Sequence, residues 1–243
     1  MNRQHPHKHI SLQPSYILHT RPYRDSSLLL EIFCRDHGRI GLVARGARSS
    51  KPRFAGLLQP FIPILLSWHG QGELATLRSA EPGGPAPLLA GDRLYSAFYL
   101  NELLLRLLQR ADPHTRLFDA YITVLSALAE SKKEEESLRH FEQVLLQEIG
   151  YGLILDHDVE TGEAIDTQLQ YTYILDRGPV LWQKNTQQGI IIQGKTLQAI
   201  AANHYPDSET RRQAKHLMRS ALAVHLGGRP LKSRELYRKQ RFL

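Results

Sequence analysis

The residues of this chain best suited to chemistry are lysines and arginines concentrated between positions 21 and 53. Eight of them fall there against three acidic residues, so 33 residues carry a balance of +5 in a chain whose net charge is +7. They are Arg21, Arg24, Arg35, Arg39, Arg45, Arg48, Lys51 and Arg53. Guanidinium and ammonium groups at this density must face water or bind an anion such as phosphate, because burying an unpaired charge is costly.

A second basic segment lies near the carboxyl end. Residues 211–241 hold ten Lys/Arg and one acid, whereas residues 81–170 hold sixteen acids and seven bases. Two basic segments separated by an acidic middle predict a surface that binds a polyanion, above all nucleic acid. Within the second segment, Arg229, Lys232 and Arg234 are further candidates for contacts with DNA.

Candidate metal ligands and nucleophiles are sparse. The single cysteine, Cys34, lies on the apolar face of a predicted strand, which favours a buried thiol and excludes an internal disulfide or a multi-cysteine zinc site. His5, His7 and His9 belong to a polar stretch, residues 1–14, that we predict to be a flexible arm. Paired carboxylates between 156 and 163 lie in a loop and are expected to be solvated. We therefore expect no metal, no cofactor and no catalytic residue.

One string matches a nucleotide-binding pattern. Residues 189–196 read GIIIQGKT and fit G-x-x-x-x-G-K-[ST]. A phosphate-binding loop needs backbone N–H groups that converge, whereas three consecutive isoleucines favour an extended strand. We interpret the match as accidental, and a nucleotide-dependent enzyme built around 189–196 is the alternative hypothesis.

The first basic segment is carried by apolar strands. Even-numbered positions are apolar over 28–34, 40–44 and 62–68, which predicts strands whose even side chains face one core and whose odd residues, Arg39 and Arg45 among them, face outward. The sequence Asp-His-Gly at 36–38 supplies a hairpin turn. With further strands at 15–21 and 72–78, the pattern predicts a five-stranded barrel of the OB type, and an SH3-like barrel is the competing architecture.

The Gly/Pro-rich stretch at 81–87 marks the predicted domain boundary. We predict an α+β, multi-domain chain in which residues 1–80 form the OB-type domain and residues 81–243 form a mainly helical domain, with a small irregular or hairpin insert near 151–192. Asp92 is the expected cap of the first helix. Predicted helices cover about 92–110, 114–130, 134–149, 195–203, 208–226 and a short basic segment after Pro230.

The basic loop from Arg45 to Arg53 joins two barrel strands, and Tyr23 and Phe54 are its expected stacking partners for splayed bases. Single-stranded nucleic acid is the expected ligand, so an RNA-binding accessory protein is a second alternative. Because no apolar run is long enough to span a membrane and a single cysteine allows no internal disulfide, we place the chain in a cytoplasm. The DNA-binding candidates of this half are Arg21, Tyr23, Arg24, Arg39, Arg45, Arg48, Lys51 and Arg53.

Several stretches resemble the RecO family of bacterial recombination mediators. They are RPYRDSSLLLEIF (21–33), GRIGLVARGAR (38–48), GLLQPFIPILLSWHGQGEL (56–74), SAE (79–81), YLNELL (99–104), FEQVLLQEIGYG (141–152) and GGRPLKSRELYR (227–238). The resemblance implies an N-terminal OB barrel and a helical domain that bind single- and double-stranded DNA and anneal complementary strands. It also implies partnership with RecR and with single-strand-binding protein, so that RecA is loaded onto DNA.

The same resemblance implies a site for the acidic, apolar C-terminal tail of single-strand-binding protein. Such a tail needs a hydrophobic groove rimmed with basic groups, for which Arg139, His140, Arg212 and Lys215 are the candidates. Some relatives carry a cysteine zinc site after the stretch 141–152. This chain has no cysteine there, so its loop is expected to hold no metal and to be held by packing alone.

Overall fold

A computed structural model of the chain describes residues 9–70, 74–130, 134–184 and 188–240. Its strands are β1 (His9–Tyr23), β2 (Ser27–Cys34), β3 (Gly38–Ala44), β4 (Ile64–His69), β5 (Leu74–Pro82), β6 (Gln170–Ile174), β7 (Gly178–Leu181) and β8 (Ile190–Gln193). Its helices are α1 (Asp92–Leu107), α2 (Thr115–Glu130), α3 (Glu134–Glu148), α4 (Gly194–Ala201), α5 (Ser208–His225) and α6 (Lys232–Gln240). Each predicted helix is present. His5 and His7 of the predicted arm lie outside the described residues.

Two compact units divide the chain. Met1–Glu130 with Pro230–Leu243 forms the first, and Ser131–Arg229 forms the second. The first unit therefore contains the strands β1 to β5, the helices α1 and α2, and α6 from the carboxyl end. The sequence-based division at residue 80 stays a prediction, because compactness groups residues by contact and does not show which segments fold alone.

The first five strands close into a barrel in the order β1-β2-β3-β5-β4, with β4 returning to pair with β1. Neighbouring strands are antiparallel except for β3 and β5, which are parallel. The predicted OB-type, five-stranded architecture is confirmed, followed along the chain by helices. Even-numbered side chains fill the barrel core as the alternation predicted, and Leu30, Leu42 and Leu66 are fully buried there.

One outer face of the barrel is apolar as well. Tyr16 on β1 and Phe33 on β2 are buried outside the barrel core. Both contact α2, because the Phe33 ring lies 5.3 Å from that of Phe118 and the Tyr16 ring lies 5.1 Å from that of Tyr121. Packing of this helix gives β1 and β2 a second buried face, which a period-two pattern cannot predict.

A buried polar group joins three elements of the first unit. Asn101 of α1 donates through Nδ2 to the carbonyl of Leu18 in β1 at 3.0 Å, and its Oδ1 accepts from the Tyr121 hydroxyl at 2.5 Å. Burial raises the pKa of Tyr121, so its hydroxyl keeps the proton that it donates. This network orients α1 and α2 on the barrel.

Helix α6 is fixed to α1 by a carboxylate. Glu102 accepts hydrogen bonds from the amide of Lys232 at 3.0 Å and from the amide and hydroxyl of Ser233 at 2.9 and 2.8 Å. Amides in the first turn of a helix have no acceptor within that helix. An acid of α1 therefore caps the first turn of α6.

The second unit contains a three-stranded antiparallel sheet in the order β7-β6-β8, beside helices α3, α4 and α5. The predicted strands near 171–175, 179–182 and 189–192 are thus present. Helix α5 packs against both α3 and α4. Its N-terminus is capped by Asp207, whose Oδ1 accepts from the Thr210 amide at 2.7 Å.

The loop before β6 is organised by one buried carboxylate. Asp158 accepts from the amides of Glu160 and Thr161 at 2.8 and 3.2 Å through Oδ1, and from the amide of Leu181 in β7 at 2.6 Å through Oδ2. The expectation of solvated carboxylates and of a loop held by packing alone is therefore wrong at Asp158. Backbone N–H groups turned away from a strand partner need an acceptor, and this side chain supplies it.

The segment 189–196 is a strand followed by a helix. Ile190–Gln193 forms β8 and pairs with β6, and α4 begins at Gly194. The amide of Gln193 donates to Gln213 Oε1 at 3.1 Å, and Lys195 Nζ lies 3.7 Å from Asp207 Oδ2. The extended conformation predicted from the isoleucines is confirmed. The amides of Gln193, Gly194 and Lys195 donate to acceptors within the protein and do not form a phosphate-binding loop.

Two further local expectations are wrong. Residues 9–14 belong to β1 rather than to a flexible arm, because they pair with β4 and the Leu12 amide donates to the Ser67 hydroxyl at 3.0 Å. A register shift against β4 between Ile10 and Gln13 interrupts the apolar alternation there, so the sequence pattern does not show this part of the strand. Asp92 is the first residue of α1 rather than its cap, which is Gly91.

Within the described ranges, no helix is long and apolar enough to cross a membrane. The same ranges contain no group of three or more His, Cys, Asp or Glu side chains arranged around a metal position. Cys34 lies in the barrel core, where burial raises the pKa of its thiol. The thiol is thus a core group, as the alternation predicted.

Candidate nucleic-acid interface

The basic loop, Arg45–Arg53, leaves β3 and is bonded to two other parts of the barrel. On one side, the Arg48 amide donates to the Ser26 carbonyl at 2.8 Å and Arg48 Nη1 donates to the Arg24 carbonyl at 3.4 Å. On the other side, Arg53 Nη2 donates to the carbonyl of Arg78 in β5 at 3.0 Å. The basic loop therefore reaches from the turn between β1 and β2 to β5.

The carbonyl of Gly46 holds the inside of the basic loop together. It accepts from the amides of Ser49 and Arg53 at 3.3 and 3.4 Å. Gly46 itself has a φ of +71°, a left-handed conformation that favours glycine. The residue that follows the loop, Phe54, is buried in the barrel core. The expectation that Phe54 stacks on bases is wrong, since its ring fills the core instead.

The exposed cations of the basic loop share one property. No ion pair with an acidic residue joins any of them in the part of the chain that the structure describes, and the same holds for the two exposed arginines before β2. These six are Arg21, Arg24, Arg45, Arg48, Lys51 and Arg53. In contrast, Arg35 lies 2.9 Å from Asp119, and Arg177 lies 3.3 Å from Glu160. Like charges left unpaired on adjoining segments produce a positive potential that attracts polyanions.

Tyr23 lies beside the basic loop at the end of β1. It is half-buried, and the Arg24 guanidinium lies 5.3 Å from its ring centroid. The backbone of Arg24 in turn binds Arg48. The structure thus brings Tyr23, Arg24 and Arg48 together, as a stacking surface beside phosphate contacts requires. Their contact with nucleic acid stays a prediction.

Arg39 does not face solvent. Its side chain is 17% exposed, its Nη1 donates to the Leu105 carbonyl near the end of α1 at 2.9 Å, and Glu31 Oε2 lies 3.9 Å away. Burial lowers the pKa of Arg39, although Glu31 opposes this shift. Arg110 binds the other oxygen of Glu31. The expected solvent-facing position is wrong, because α1 and the segment after it cover this part of the outer face.

The C-terminal candidates occupy different surroundings. Lys232 is exposed at the start of α6, and the Arg234 guanidinium lies 5.6 Å from the ring centroid of Tyr99 in α1. Both belong to the unit that contains the barrel, whereas Arg229 is the last residue of the second unit. Stacking on Tyr99 leaves the charge of Arg234 uncompensated, so a phosphate contact there stays a prediction.

The structure adds a cation that the sequence-based set missed. Arg78 is exposed on β5, and its carbonyl is the acceptor for Arg53. The alternation of Leu74, Thr76 and Arg78 with the buried Ala75 and Leu77 was the available signal. Arg78 lies outside the run of charge between residues 21 and 53, so the density of charge along the sequence does not indicate it.

Two family models together cover most of the chain. The model described as Recombination protein O N terminal matches residues 10–85, which include the whole basic loop and most of the barrel. The model described as Recombination protein O C terminal matches residues 88–235. The chain belongs to the RecO family.

Relatives of similar length carry the name DNA repair protein RecO. The protein from Nitrosococcus oceani is 47% identical over 234 residues, which cover 96% of this chain and 95% of the relative. That from Methylococcus capsulatus is 48% identical over 229 residues, covering 94% and 93%. That from Alkalilimnicola ehrlichii is 47% identical over 232 residues, covering 95% and 92%. Membership of the RecO family associates the chain with recombinational DNA repair.

The four residues predicted to bind the tail of single-strand-binding protein, Arg139, His140, Arg212 and Lys215, differ in solvent exposure and in their ion pairs. Arg139 is only 7% exposed, and its Nη2 lies 2.7 Å from Glu142 Oε1, so it cannot form the rim of a groove. The other three are partly or fully accessible, but Arg212 lies 2.6 Å from Glu209 and Lys215 lies 3.6 Å from Glu135. Sequence spacing placed Arg139 beside His140 without showing that α3 turns Arg139 inward.

Proposed function

We propose that this RecO-family protein binds single- and double-stranded DNA through the basic loop and anneals complementary strands. The observation that carries the proposal is the set of exposed, unpaired cations on segments joined by the hydrogen bonds of Arg48 and Arg53. Arg45, Arg48, Lys51 and Arg53 bind phosphate groups, and Arg21 and Arg24 extend the surface on one side. Each phosphate contact releases condensed counterions, which drives binding.

Annealing follows from the same charge. Two single strands repel each other through their phosphates, and a protein that neutralises phosphates reduces this repulsion while leaving the bases free to pair. Contacts to the sugar-phosphate backbone do not read bases, so any complementary pair of strands is a substrate. Base pairing supplies the free energy, and the protein performs no covalent chemistry. It therefore acts without a catalytic residue, a metal or a cofactor.

The same proposal includes partners. RecR and the C-terminal tail of single-strand-binding protein bind this chain, which then helps to load RecA onto DNA. His140, Arg212 and Lys215 of the second unit are the remaining candidates for the acidic tail, because their side chains are partly or fully accessible. A fluorescent tail peptide should bind the wild type more tightly than Arg212→Ala/Lys215→Ala, with Arg177→Ala as the matched control. Equal affinities for wild type and double variant would exclude these residues.

A salt titration of single-strand binding tests the main proposal. For single strands the slope of log affinity against log salt changes by roughly 0.7 for each phosphate contact, so Ala at positions 45, 48, 51 and 53 should flatten it by about 3. Annealing of complementary oligonucleotides should slow in parallel, and melting temperatures should stay close to the wild type because these side chains are exposed. The control is Arg35→Ala, which removes a paired cation.

An unchanged slope together with an unchanged melting temperature would remove the basic loop from the DNA path and favour Arg229, Lys232 and Arg234 instead. Two further arms separate the alternatives. Annealing that depends on ATP would support a nucleotide-dependent enzyme, and a marked preference for RNA strands over DNA strands would support an RNA-binding accessory protein.

A further inference from the structure

The outer face of β5 carries a row of side chains that begins beside the basic loop. Leu74, Thr76 and Arg78 alternate along β5 with inward-facing residues. Because β5 runs parallel to β3, Leu74 lies opposite Gly41 and Thr76 lies opposite Val43. At the other end of the row, the Arg78 carbonyl accepts a hydrogen bond from Arg53 of the basic loop at 3.0 Å.

This row is open to solvent. Leu74 is 44% exposed and Arg78 is exposed, whereas on the other side of the barrel α2 covers the outer residue Phe33. An exposed leucine at one end and arginines at the other make the row amphipathic. Such a surface suits a sugar-phosphate backbone, which presents apolar sugar edges and charged phosphates side by side.

A side-chain hydrogen bond orients the Arg78 guanidinium. Its Nε donates to Nδ1 of His69 in β4 at 2.9 Å, and its carbonyl accepts from Arg53 Nη2 at 3.0 Å. No acidic residue of the described ranges pairs with it. With Nε engaged, Nη1 and Nη2 form the planar fork that matches two phosphate oxygens. A cation fixed before binding loses little side-chain entropy when the ligand arrives.

We propose that Arg78 is a phosphate contact of the DNA-binding surface, that His69 is its positioning residue, and that a single strand leaving the basic loop runs along β5 over Thr76 and Leu74. This inference rests on the proposed function and adds a residue and a direction to it. The ligand is the backbone of single-stranded DNA. Thr76 and Leu74 contact sugars without stacking on bases, so this part of the path does not distinguish sequences.

Salt titrations of the full-length protein with an oligothymidylate strand test the proposal. Arg78→Gln should flatten the slope of log affinity against log salt by about 0.7. Arg35→Gln is the matched control, since it removes an exposed barrel arginine that already pairs with Asp119. Its slope should equal that of the wild type. All titrations are run well below the melting temperature of each variant, so that the folded fractions are equal.

The positioning role of His69 is tested by two substitutions, one that removes the hydrogen-bond acceptor and one that restores it. In His69→Leu the acceptor for Arg78 Nε is lost and affinity should fall about threefold at unchanged slope, because the charge remains but is no longer oriented. In His69→Asn the side-chain oxygen can accept the same hydrogen bond, so affinity should return toward the wild type. Equal affinities for His69→Leu and wild type would exclude the positioning role.

The variant with Ala at positions 45, 48, 51 and 53 of the basic loop distinguishes failure of the inference about Arg78 from failure of the proposed function. If that variant flattens the slope and Arg78→Gln does not, the strand avoids β5 and this inference is overturned while the proposed function stands. If neither variant changes the slope, the proposed function fails together with the inference. If both flatten it, the path along β5 is supported.

Discussion

The carboxylate of Asp158 accepts a 2.6 Å hydrogen bond from the amide of Leu181, and so joins the loop before β6 to the edge strand β7. The same side chain accepts from two amides of its own loop. We expect Asp158→Ala to lower the free energy of unfolding by about 3 kcal/mol, because each amide deprived of its acceptor costs about 1 kcal/mol or more. Denaturant unfolding measures this difference.

A matched control lies in the same loop. Glu163 is exposed and its side chain makes no hydrogen bond within the described ranges, so Glu163→Ala should change the free energy of unfolding by less than about 0.5 kcal/mol. Asp158→Asn should fall between the two, since one oxygen remains an acceptor. Equal stabilities for Asp158→Ala and Glu163→Ala would show that the loop is held by packing alone.

Arg39→Ala should affect folding rather than DNA binding. Arg39 donates a hydrogen bond to the Leu105 carbonyl and forms an ion pair with Glu31, so its removal leaves that carbonyl without its donor and Glu31 without one of its two cations. We expect a loss of about 2 kcal/mol in the free energy of unfolding, with the salt slope of single-strand binding unchanged. Thermal melts and salt titrations of the same preparations measure both quantities. A flattened slope with a wild-type melting temperature would restore Arg39 to the DNA-binding surface.

The capping carboxylate Glu102 should make stability depend on pH. Burial raises its pKa, but the hydrogen bonds from Ser233 and Lys232 and the charge of Arg106 outweigh burial, so the pKa lies below the ordinary 4.5. A carboxyl with a lowered pKa in the folded state contributes stability that is present above pH 4.5 and is lost as pH falls through the folded pKa. Glu102→Gln should therefore be less stable than wild type by about 1 kcal/mol at pH 7.

The gap between wild type and Glu102→Gln should start to narrow near pH 4.5 and should close as the pH falls through the lowered pKa of Glu102 in the folded state, because its carboxyl is then neutral, as Gln is. Melting temperatures taken from pH 7 to pH 3 measure it, with Glu81→Gln as the control for an exposed acid of the same unit. A gap that stays constant over this range would mean that the charge of Glu102 does not stabilise α6.

In residues 189–196, a substitution of Gly194 should matter more than a substitution of Lys195. A phosphate-binding loop would show the reverse, because its lysine contacts the nucleotide. A Cβ on Gly194 would lie 1.9 Å from the Asp166 carbonyl oxygen, so Gly194→Ala should destabilise the second unit by more than about 2 kcal/mol. Lys195→Ala removes only an exposed ion pair with Asp207 and should change stability by less than about 1 kcal/mol. Melting curves, annealing rates and ATP hydrolysis give the comparison. ATP hydrolysis abolished by Lys195→Ala would contradict the interpretation of this string as accidental.

The barrel and the helices could be predicted from sequence because their signals are local. Alternation placed Leu30, Leu42 and Leu66 in one core, and three isoleucines in a row identified β8 despite the nucleotide-binding pattern. The run of charge from Arg21 to Arg53 likewise located the candidate interface. In each case neighbours in sequence are also neighbours on one face of one element, so spacing alone carries the information.

Only the tertiary structure decided which charges are available. Arg39 and Arg45 are both odd-numbered and were both predicted to face outward, but α1 covers Arg39 and Arg45 is exposed. Arg78 of β5 adjoins the basic loop through the hydrogen bond from Arg53 to its carbonyl, and Asp158 joins its loop to β7 through the Leu181 amide. The sequence by itself determined the elements, their faces and the local excess of charge. Whether one element covers another depends on packing between segments that are distant in sequence, and a local hydrophobic pattern does not contain that information. This packing decides which charged side chains are buried in structural contacts and which stay exposed to bind a ligand.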